Sequence, residues 1–454
     1  MTLFGTAGIR GPVRTEITPS LSLAVGRAVG QDEGPFVLGR DGRETGPALV
    51  AALEAGIESA GGDVYRVGQV PTPALAYASR GRRGVMVTAS HNPPTDNGIK
   101  VFEDGVEYDR DAERTIERRV EADQSPADWH QWGKTSRLDL LEDYRDAVAG
   151  YAREVSGLDT PLADLRIVVD CGNGMGAVAT PQVLRDLGAE VVTLHANVDG
   201  HFPGRESKPT PESLTDLRAF LAEHPADLGI AHDGDADRIV IVAPDGEVVH
   251  EDTVLAWLAE RYTRESGAED PVVVTTPNAS GRIDERVEAA GGRVLRVRLG
   301  ALHEGIAGAR DSGGADTAVV FAAEPWKHVH LDFGGWIDGV ASAAVLARLV
   351  TDAGGLSPLC APVTERPYRK ENVECPDDRK PAVMAELEDA LLREFPDGEV
   401  DTRFGVRIDL PDGSWVLVRP SGTEPYIRIY AESEAVDDLV ATVREVVEDA
   451  VACS

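Results

Sequence analysis

Phe36-Val37-Leu38-Gly39-Arg40-Asp41-Gly42 is an apolar run that ends in a polar, glycine-containing loop. A helical stretch from Pro47 to Ala60 follows it, and Gly61-Gly62-Asp63-Val64 begins a second apolar run. The same succession of strand, loop, helix, glycine turn and strand recurs over residues 166–191 and 272–294. It is typical of parallel strands joined by helices that cover the sheet. The sequence therefore predicts three α/β domains in series, with mixed and mostly parallel sheets.

The C-terminal part of the chain follows another pattern. Short alternating runs begin at Phe404, Trp415 and Tyr426, and a helical stretch extends from Ala435 to Val451. Alternating runs separated by turns predict antiparallel strands, and with the closing helix they indicate an α+β domain. We expect four domains, over residues 1–153, 154–252, 253–364 and 365–454.

The chain is strongly acidic. Its 454 residues include 78 acidic and 45 basic ones, which gives a formal net charge of −33. The acidic residues are spread along the chain, whereas the hydrophobic content of 42% is ordinary for a globular protein. Dispersed carboxylates around a normal core indicate a halophilic protein, because high salt screens their repulsion. The same charge disfavours binding to nucleic acid.

Other features of the sequence bear on location and partners. No apolar run reaches the roughly 20 residues that a membrane helix needs. Residues 1–5 lack the basic and apolar regions of a signal peptide. The cysteines show neither CxxC pairing nor the spacing of a zinc site. We therefore expect a cytoplasmic protein without a membrane partner, either a monomer or a homodimer.

Val87-Thr88-Ala89-Ser90-His91-Asn92-Pro93-Pro94 presents a serine on a loop that follows an apolar run. Lys100 lies ten residues further on. A hydroxyl is a weak nucleophile unless a base, a metal or a covalent modification assists it. The motif therefore predicts a functional serine. A purely structural loop is the alternative, because Thr-Ala-Ser and Asn-Pro-Pro are ordinary turn formers.

Asp233-Gly234-Asp235-Ala236-Asp237-Arg238 lies between two apolar runs and is expected to join two strands. Carboxylates at alternate positions can converge on one hard cation and leave room for a phosphate oxygen. An EF-hand is excluded, because its sixth and twelfth positions would be Arg238 and Pro244 rather than glycine and glutamate. The alternative that stays open is a solvated acidic turn.

Arg419-Pro420-Ser421-Gly422-Thr423-Glu424-Pro425-Tyr426-Ile427-Arg428 places two arginines and two hydroxyls around one turn. This set of donors suits a dianionic phosphate, although an ordinary turn is the alternative. Two weaker signals are Arg10 on the glycine-rich loop 5–11 and the loop Ala323-Glu324-Pro325-Trp326-Lys327-His328. A flexible terminus and an ordinary loop are their respective alternatives.

Together these loops make the chain resemble the α-D-phosphohexomutase superfamily, which includes phosphoglucomutases, phosphomannomutases and phosphoglucosamine mutases. The resemblance spans essentially the whole chain, with the loops in family order. It implies four domains around a central cleft. It also implies a phosphoserine enzyme that interconverts hexose 1-phosphate and hexose 6-phosphate of the glucose or mannose type. The implied intermediate and activator is a hexose 1,6-bisphosphate.

The resemblance also implies roles for individual residues. Ser90 would carry the phosphoryl group and would share one Mg²⁺ ion per chain with Asp233, Asp235 and Asp237. The implied residues that act on the phosphoryl group or move protons are Arg10, Arg238, Lys100, His328 and, less favoured than Lys100, His91. The implied substrate contacts are Glu324, Lys327, Arg419, Ser421, Gly422, Thr423 and Arg428. A lysine that serves as a base needs a lowered pKa, which we expect for Lys100 beside a metal and Arg10.

The sugar loop departs from the family pattern Gly-Glu-X-Ser-Gly-His. Trp326 replaces the serine and Lys327 replaces the glycine, so the preferred sugar is in doubt. Trp326 can stack on a sugar or fill space. Phosphoglucosamine mutase is the alternative within the class, which Asp96-Asn97-Gly98-Ile99-Lys100 mildly favours. A non-catalytic sugar-phosphate-binding protein and a metal phosphatase are alternatives outside it.

We expect the protein to lose stability when molar salt is removed, because repulsion among its carboxylates is then no longer screened. Thermal unfolding in decreasing concentrations of KCl tests this, and the unfolding midpoint should fall. A midpoint that does not change with salt would contradict the halophilic interpretation.

Overall fold

The computed structural model describes residues 3–5, 8–123, 125–421 and 424–453. The chain divides into two units, one made of residues 1–254 and 319–361 and the other of residues 255–318 and 362–454. Among the described residues, no helix is long and apolar enough to cross a membrane.

The first part of the chain builds a mixed sheet with helices around it. The elements are β1 (Ile9–Pro12), α1 (Pro19–Val29), β2 (Phe36–Arg40), α2 (Gly46–Ala60), β3 (Val64–Gln69), α3 (Thr72–Ala78), β4 (Arg83–Val87), β5 (Asp96–Glu103), β6 (Val106–Glu107), α4 (Arg110–Glu121), β7 (Thr135–Arg137) and α5 (Leu141–Ser156). The strand order is β1-β5-β4-β2-β3-β7, and β6 pairs with β5. Strands β4, β2, β3 and β7 are parallel, whereas β5 is antiparallel to β4 and β1.

Helices α1 and α2 pack closely, because each has a glycine, which lacks a side chain, at the point of contact. A Cβ atom on Gly26 would lie 2.2 Å from the carbonyl oxygen of Leu53, and one on Gly56 would lie 2.4 Å from that of Leu23. Helix α2 buries apolar side chains at every fourth residue in the core, namely Leu49, Leu53 and Ile57. This packing supports the strands that carry the serine loop.

A second sheet follows. Its elements are β8 (Arg166–Asp170), α6 (Thr180–Asp186), β9 (Glu190–Leu194), α7 (Thr215–Glu223), β10 (Leu228–His232) and β11 (Ile239–Val242). The strand order is β11-β10-β8-β9, with β8 parallel to β9 and β10. The antiparallel pair β10 and β11 is joined by the aspartate loop 233–238, as the sequence predicts.

The third stretch contains α8 (Glu251–Glu265), β12 (Asp270–Thr275), α9 (Gly281–Ala289), β13 (Arg293–Arg296), α10 (Leu302–Ser312), β14 (Thr317–Glu324), β15 (Lys327–Val329), α11 (Gly339–Ala353) and α12 (Leu356–Cys360). Strands β12 and β13 are parallel. Strands β14 and β15 form an antiparallel hairpin in which Glu324 pairs with Lys327 and Ala323 with His328. This hairpin carries the predicted sugar loop.

The C-terminal elements are β16 (Tyr368–Glu374), α13 (Lys380–Glu394), β17 (Glu399–Asp401), β18 (Val406–Asp409), β19 (Trp415–Pro420), β20 (Tyr426–Glu432) and α14 (Val436–Cys453). The strands form an antiparallel sheet in the order β16-β20-β19-β18-β17. Helices α13 and α14 bury Leu387 and Val447 against apolar side chains of this sheet, such as Val416 and Ile427.

The predicted fold class is confirmed. The three repeats correspond to β2-α2-β3, β8-α6-β9 and β12-α9-β13, and the C-terminal strands and helix are also present. The sequence pattern did not reveal β16, because most of its side chains are polar and exposed. The bounds of the four domains stay a prediction.

Replacing Leu387 by alanine should destabilise the C-terminal sheet by about 2–5 kcal/mol, the usual cost of a cavity at a fully buried leucine. Leu387 is 0% exposed, whereas Leu392 on the same helix is 39% exposed. Leu392→Ala is therefore the matched control and should change stability by about 0.5 kcal/mol or less. Hydrogen exchange at the amides of β18 and β19 measures the effect, and equal exchange in the two variants would contradict this packing.

Candidate active site

Ser90 lies just beyond the end of β4 in a backbone conformation that is unusual for serine. Its φ angle is +50°, in the left-handed region. The amide of Ser90 donates to Thr88 Oγ1 at 2.9 Å, and the Ser90 side chain is fully buried. Strain of this kind persists only where the surroundings hold it, and it is common at functional sites.

Arg43 holds the serine loop in place. Its guanidinium donates to the carbonyl oxygens of Ser90, Asn92, Pro93 and Asp96 at 2.6–3.0 Å. Its Nε also contacts Asp41 Oδ2 at 3.1 Å, and both side chains are buried. Asp41 in turn accepts from Thr88 Oγ1 at 2.7 Å. The guanidinium of Arg43 thus fixes the loop conformation through hydrogen bonds to backbone carbonyls.

The aspartate loop places three buried carboxylates together. Oxygen atoms of Asp233, Asp235 and Asp237 lie within 4.8 Å of one another. The carboxylates face partners from three different segments. Ser90 Oγ donates to Asp233 Oδ2 at 2.6 Å, Thr72 Oγ1 donates to Asp235 Oδ2 at 2.6 Å, and Lys100 Nζ donates to Asp237 Oδ2 at 2.8 Å.

The donor set fits a divalent cation. Asp235 Oδ1 and Asp237 Oδ1 are buried and have no hydrogen-bond partner among the described residues. Carboxylate oxygens are ligands that hard cations such as Mg²⁺ prefer. The triad could therefore hold a metal ion beside the hydroxyl of Ser90.

The carboxylates perturb one another strongly. Burial raises the pKa of Asp233 well above its ordinary value, and the charges of Asp237 and Asp235 raise it further. Burial also raises the pKa of Asp237, but Lys100, Lys327 and Arg238 outweigh burial and hold that pKa well below its ordinary value. The negative charge of the cluster is therefore concentrated on the side that faces the cations.

The charged neighbours of Lys100 in this structure are mainly carboxylates. Burial lowers the pKa of Lys100, but Asp237, Glu107 and Asp235 together raise it above its ordinary value. The register of β5 on β4 brings Lys100 opposite Met86, near the start of the serine loop. With these carboxylates as its neighbours, Lys100 is held as an ammonium.

Several cations converge near His91. Burial lowers the pKa of His91 to about 2, and Arg238, Arg10 and Lys327 contribute to the shift. Its Nδ1 lies 3.3 Å from Ser90 Oγ. Arg10 Nε and Nη2 are buried and have no hydrogen-bond partner among the residues described. These unpaired donors and neighbouring charges suit an anion such as a phosphoryl group.

The hairpin of β14 and β15 turns at Trp326, whose φ angle is +67°. Trp326 packs against an apolar cluster that includes Leu217 and Val240, and its carbonyl accepts from the amide of Ile239 at 3.0 Å. The half-buried indole therefore fills space against this cluster. Lys327, the next residue, is 9% exposed and acts electrostatically on Asp237 and His91.

The predicted phosphate loop lies in the other unit. Arg419 and Arg428 face each other across β19 and β20. Arg419 Nε, Arg428 Nε and Ser421 Oγ are buried without a hydrogen-bond partner among the described residues, whereas Arg419 Nη2 donates to Tyr430 Oη at 3.2 Å and Arg428 Nη2 to Glu424 Oε2 at 2.6 Å. Gly422 and Thr423 lie outside the described residues. Lys380 Nζ donates to the carbonyls of Ser421 and Glu424 at 2.7 and 2.6 Å. These two residues flank Gly422 and Thr423 in the sequence.

The structure thus brings together many of the predicted residues of the first unit. Ser90, Lys100 and the aspartates are in direct contact, and His91 Nδ1 lies 3.3 Å from Ser90 Oγ. Arg238 Nε forms ion pairs with Asp233 and Asp237 at 3.7 and 3.9 Å, and Arg10 and Lys327 act on the site through their charges. Sequence reasoning missed Arg43, Thr72 and Lys380. Arg43 follows the Gly39-Arg40-Asp41-Gly42 loop at the end of a parallel strand, where functional side chains often gather, and this was the available signal.

Comparisons with known proteins agree with this geometry. Residues 1–127, 142–246 and 371–450 match the phosphoglucomutase/phosphomannomutase α/β/α domains I and II and C-terminal domain. A phosphopentomutase of Thermococcus kodakarensis is 42% identical over 440 residues, which cover 95% of this chain and 94% of that protein. A probable phosphoglucosamine mutase of Methanopyrus kandleri is 42% identical over 463 residues, 98% of each chain.

A solved structure shows the same overall fold. It is a phosphoglucomutase/phosphomannomutase family protein from Burkholderia thailandensis, with a TM-score of 0.84 and 27% identity, covering 99% of this chain and 96% of that one. Fold and site define a sugar-phosphate mutase, an enzyme that transfers a phosphoryl group within one substrate. The chain belongs to the phosphoglucomutase/phosphomannomutase family of the α-D-phosphohexomutase superfamily.

Replacing Arg43 by lysine should loosen the serine loop, because an ammonium keeps the charge near Asp41 but cannot reach four carbonyls. We expect faster hydrogen exchange at the amides of residues 88–98 and a loss of stability of about 1–3 kcal/mol from unsatisfied buried carbonyls. Arg114→Lys on the exposed face of α4 is the control. Unchanged exchange in the Arg43 variant would refute the role of the guanidinium.

Proposed function

We propose that this enzyme is a phosphoglucosamine mutase that interconverts glucosamine 1-phosphate and glucosamine 6-phosphate. The observation that carries the chemistry is the contact between Ser90 Oγ and Asp233 Oδ2, 2.6 Å apart inside the carboxylate cluster. Support for the amino sugar comes from the relatives, because several that match nearly the whole chain are named probable phosphoglucosamine mutases.

Ser90 carries the phosphoryl group in this proposal. The free hydroxyl of the sugar phosphate attacks the phosphorus of phosphoserine, the bond to Ser90 Oγ breaks, and a sugar 1,6-bisphosphate forms. The intermediate reorients, and Ser90 takes the phosphoryl group from the other end. Each transfer exchanges one oxygen–phosphorus bond for another, so positioning and charge stabilisation do most of the catalysis.

A Mg²⁺ ion held by Asp233, Asp235, Asp237 and the phosphate of Ser90 would supply positive charge to the phosphoryl group in transfer. Arg10 and Arg238 bind the phosphoryl oxygens, which gives Nε and Nη2 of Arg10 a hydrogen-bond partner. Lys100, an ammonium, gives a proton to Ser90 Oγ as that oxygen leaves, and the amine then takes the proton of the attacking sugar hydroxyl, so that Lys100 is an ammonium before and after the transfer. Arg419, Ser421 and Arg428, with Gly422 and Thr423, bind the phosphate that does not react.

The sugar ring is recognised by the β14–β15 hairpin in this proposal. Glu324 binds hydroxyl groups, and Lys327 adds a cation that the common family pattern lacks. A phosphopentomutase activity is the second candidate, since the relative from Thermococcus kodakarensis bears that name at 42% identity. Glucose and mannose phosphates remain further candidates. We place the enzyme in a salt-rich cytoplasm because of its dispersed acidic residues.

Ser90→Ala should abolish mutase activity, because the variant has no atom to carry the phosphoryl group, while binding of sugar phosphate survives. Thr95→Ala, an exposed residue of the same loop, is the matched control and should keep its activity. Intact mass after incubation with glucosamine 1,6-bisphosphate should show one added phosphoryl group in the wild type and none in the Ser90 variant. Undiminished turnover by Ser90→Ala would exclude a phosphoserine enzyme.

The substrate is tested with a panel of 1-phosphates of glucosamine, glucose, mannose and ribose, with Mg²⁺ present. The proposal expects the highest kcat/KM for glucosamine 1-phosphate. A preference for ribose 1-phosphate would favour the pentomutase. Release of inorganic phosphate in excess of isomer would indicate a phosphatase, and binding without conversion of any sugar would indicate a non-catalytic protein.

A further inference from the structure

A buried hydroxyl joins two histidines beside the β14–β15 hairpin. Ser342 Oγ on α11 lies 3.0 Å from His328 Nδ1 and 2.8 Å from His330 Nε2. It also donates to the carbonyl oxygen of Asp338 at 2.6 Å. All of these side chains are at most 1% exposed, so water does not substitute for any of these contacts.

The protons in this cluster can be assigned from the chemistry of the partners. The Asp338 carbonyl can only accept, and at 2.6 Å it must face the single proton of the Ser342 hydroxyl. Ser342 Oγ therefore has only lone pairs for the two imidazoles, and each imidazole must donate to it. His328 consequently bears a proton on Nδ1.

The second nitrogen of His328 is then an acceptor. Burial lowers the pKa of His328 well below its ordinary value, and that of His330 to about 3, so both rings are neutral. A neutral ring holds one proton, which leaves a lone pair on His328 Nε2. Nε2 is buried and has no hydrogen-bond partner among the described residues.

Comparison with another buried histidine shows that this is unusual. His232 uses both nitrogens, with Nε2 2.9 Å from Thr180 Oγ1 and Nδ1 2.7 Å from the carbonyl of Arg238. An unsatisfied buried polar atom destabilises the folded protein, so the lone pair of His328 calls for a donor that a ligand would supply. His328 directly follows Lys327, which faces the charges of the catalytic centre.

We propose that Ser342 is a positioning residue that holds His328 with its proton on Nδ1, so that Nε2 accepts a hydrogen bond from a hydroxyl group of the bound sugar phosphate. The tautomer of His328 is deduced from hydrogen bonds within the protein alone. The hydroxyl partner rests on the proposed function. The two parts are therefore tested by different measurements.

The tautomer is read from nitrogen NMR of the full chain labelled with ¹⁵N-histidine, and His328→Gln identifies the signals of His328. We expect a protonated Nδ1 and an unprotonated Nε2 in the wild type without substrate. Ser342→Ala should lose this preference, whereas Ser342→Thr should keep it because it retains a hydroxyl. A proton on Nε2 in the wild type would overturn the proposal, whether or not the variants fold.

The role toward substrate is tested with glucosamine 6-phosphate. Its addition should shift the Nε2 signal of the wild type, and Ser342→Ala should lower kcat/KM roughly tenfold, the effect of one lost hydrogen bond. Ser22→Ala is the matched control, because Ser22 is also a buried helical serine and its hydroxyl has no hydrogen-bond partner among the described residues.

The outcomes separate this proposal from the proposed function. If the wild type converts glucosamine phosphates but Ser342→Ala is as active as Ser22→Ala, the role of His328 Nε2 toward substrate is wrong and the mutase assignment stands. If the wild type converts no sugar phosphate, the proposed function fails, and the nitrogen spectrum still decides the tautomer.

Discussion

Repulsion among Asp233, Asp235 and Asp237 is the constraint on which the catalytic centre depends. Carboxylates within 4.8 Å of one another in a buried loop cannot all be charged without compensation. The compensation comes from Ser90, Thr72 and Lys100, which belong to separate segments of the first sheet region. The cluster therefore also links two sheets of one unit, and a change at any of these partners alters the electrostatics of the whole centre.

Cationic side chains also compensate the negative charge of the aspartate cluster. Arg10, Arg238 and Lys327 all shift the pKa of His91, so they surround the position next to Ser90. A phosphoryl group placed there would lie between a carboxylate cluster that could hold a metal and guanidinium groups with unpaired nitrogens. A cation at the carboxylates and an anion at the guanidinium groups would thus compensate each other's charge.

Local sequence patterns predicted the repeats, the aspartate loop and the serine loop, because alternation and glycine turns are properties of neighbouring residues. Contacts between distant segments could not be read in this way. Arg43 reaches carbonyls about fifty residues away along the chain, and Thr72 caps a carboxylate of another sheet. The charge of Lys100 also depends on such contacts, because Asp235 and Asp237 lie more than 130 residues away from it in the sequence. Strand β16 was not predicted because most of its side chains are polar and exposed, so its sequence lacks the alternation of apolar residues that indicates a strand.

Trp326 shows how a change in the sugar loop can be structural and still affect specificity. Its half-buried indole packs against the apolar cluster near Val240, and its carbonyl accepts from the amide of Ile239 just after the aspartate loop. Packing of the tip therefore determines where the hairpin places Lys327 relative to Asp237. The same hairpin carries His328, whose ring is held by Ser342 on α11. Two anchors on different elements thus leave the hairpin little freedom to adapt to a sugar. The hairpin consequently presents its charges and lone pairs from a fixed backbone.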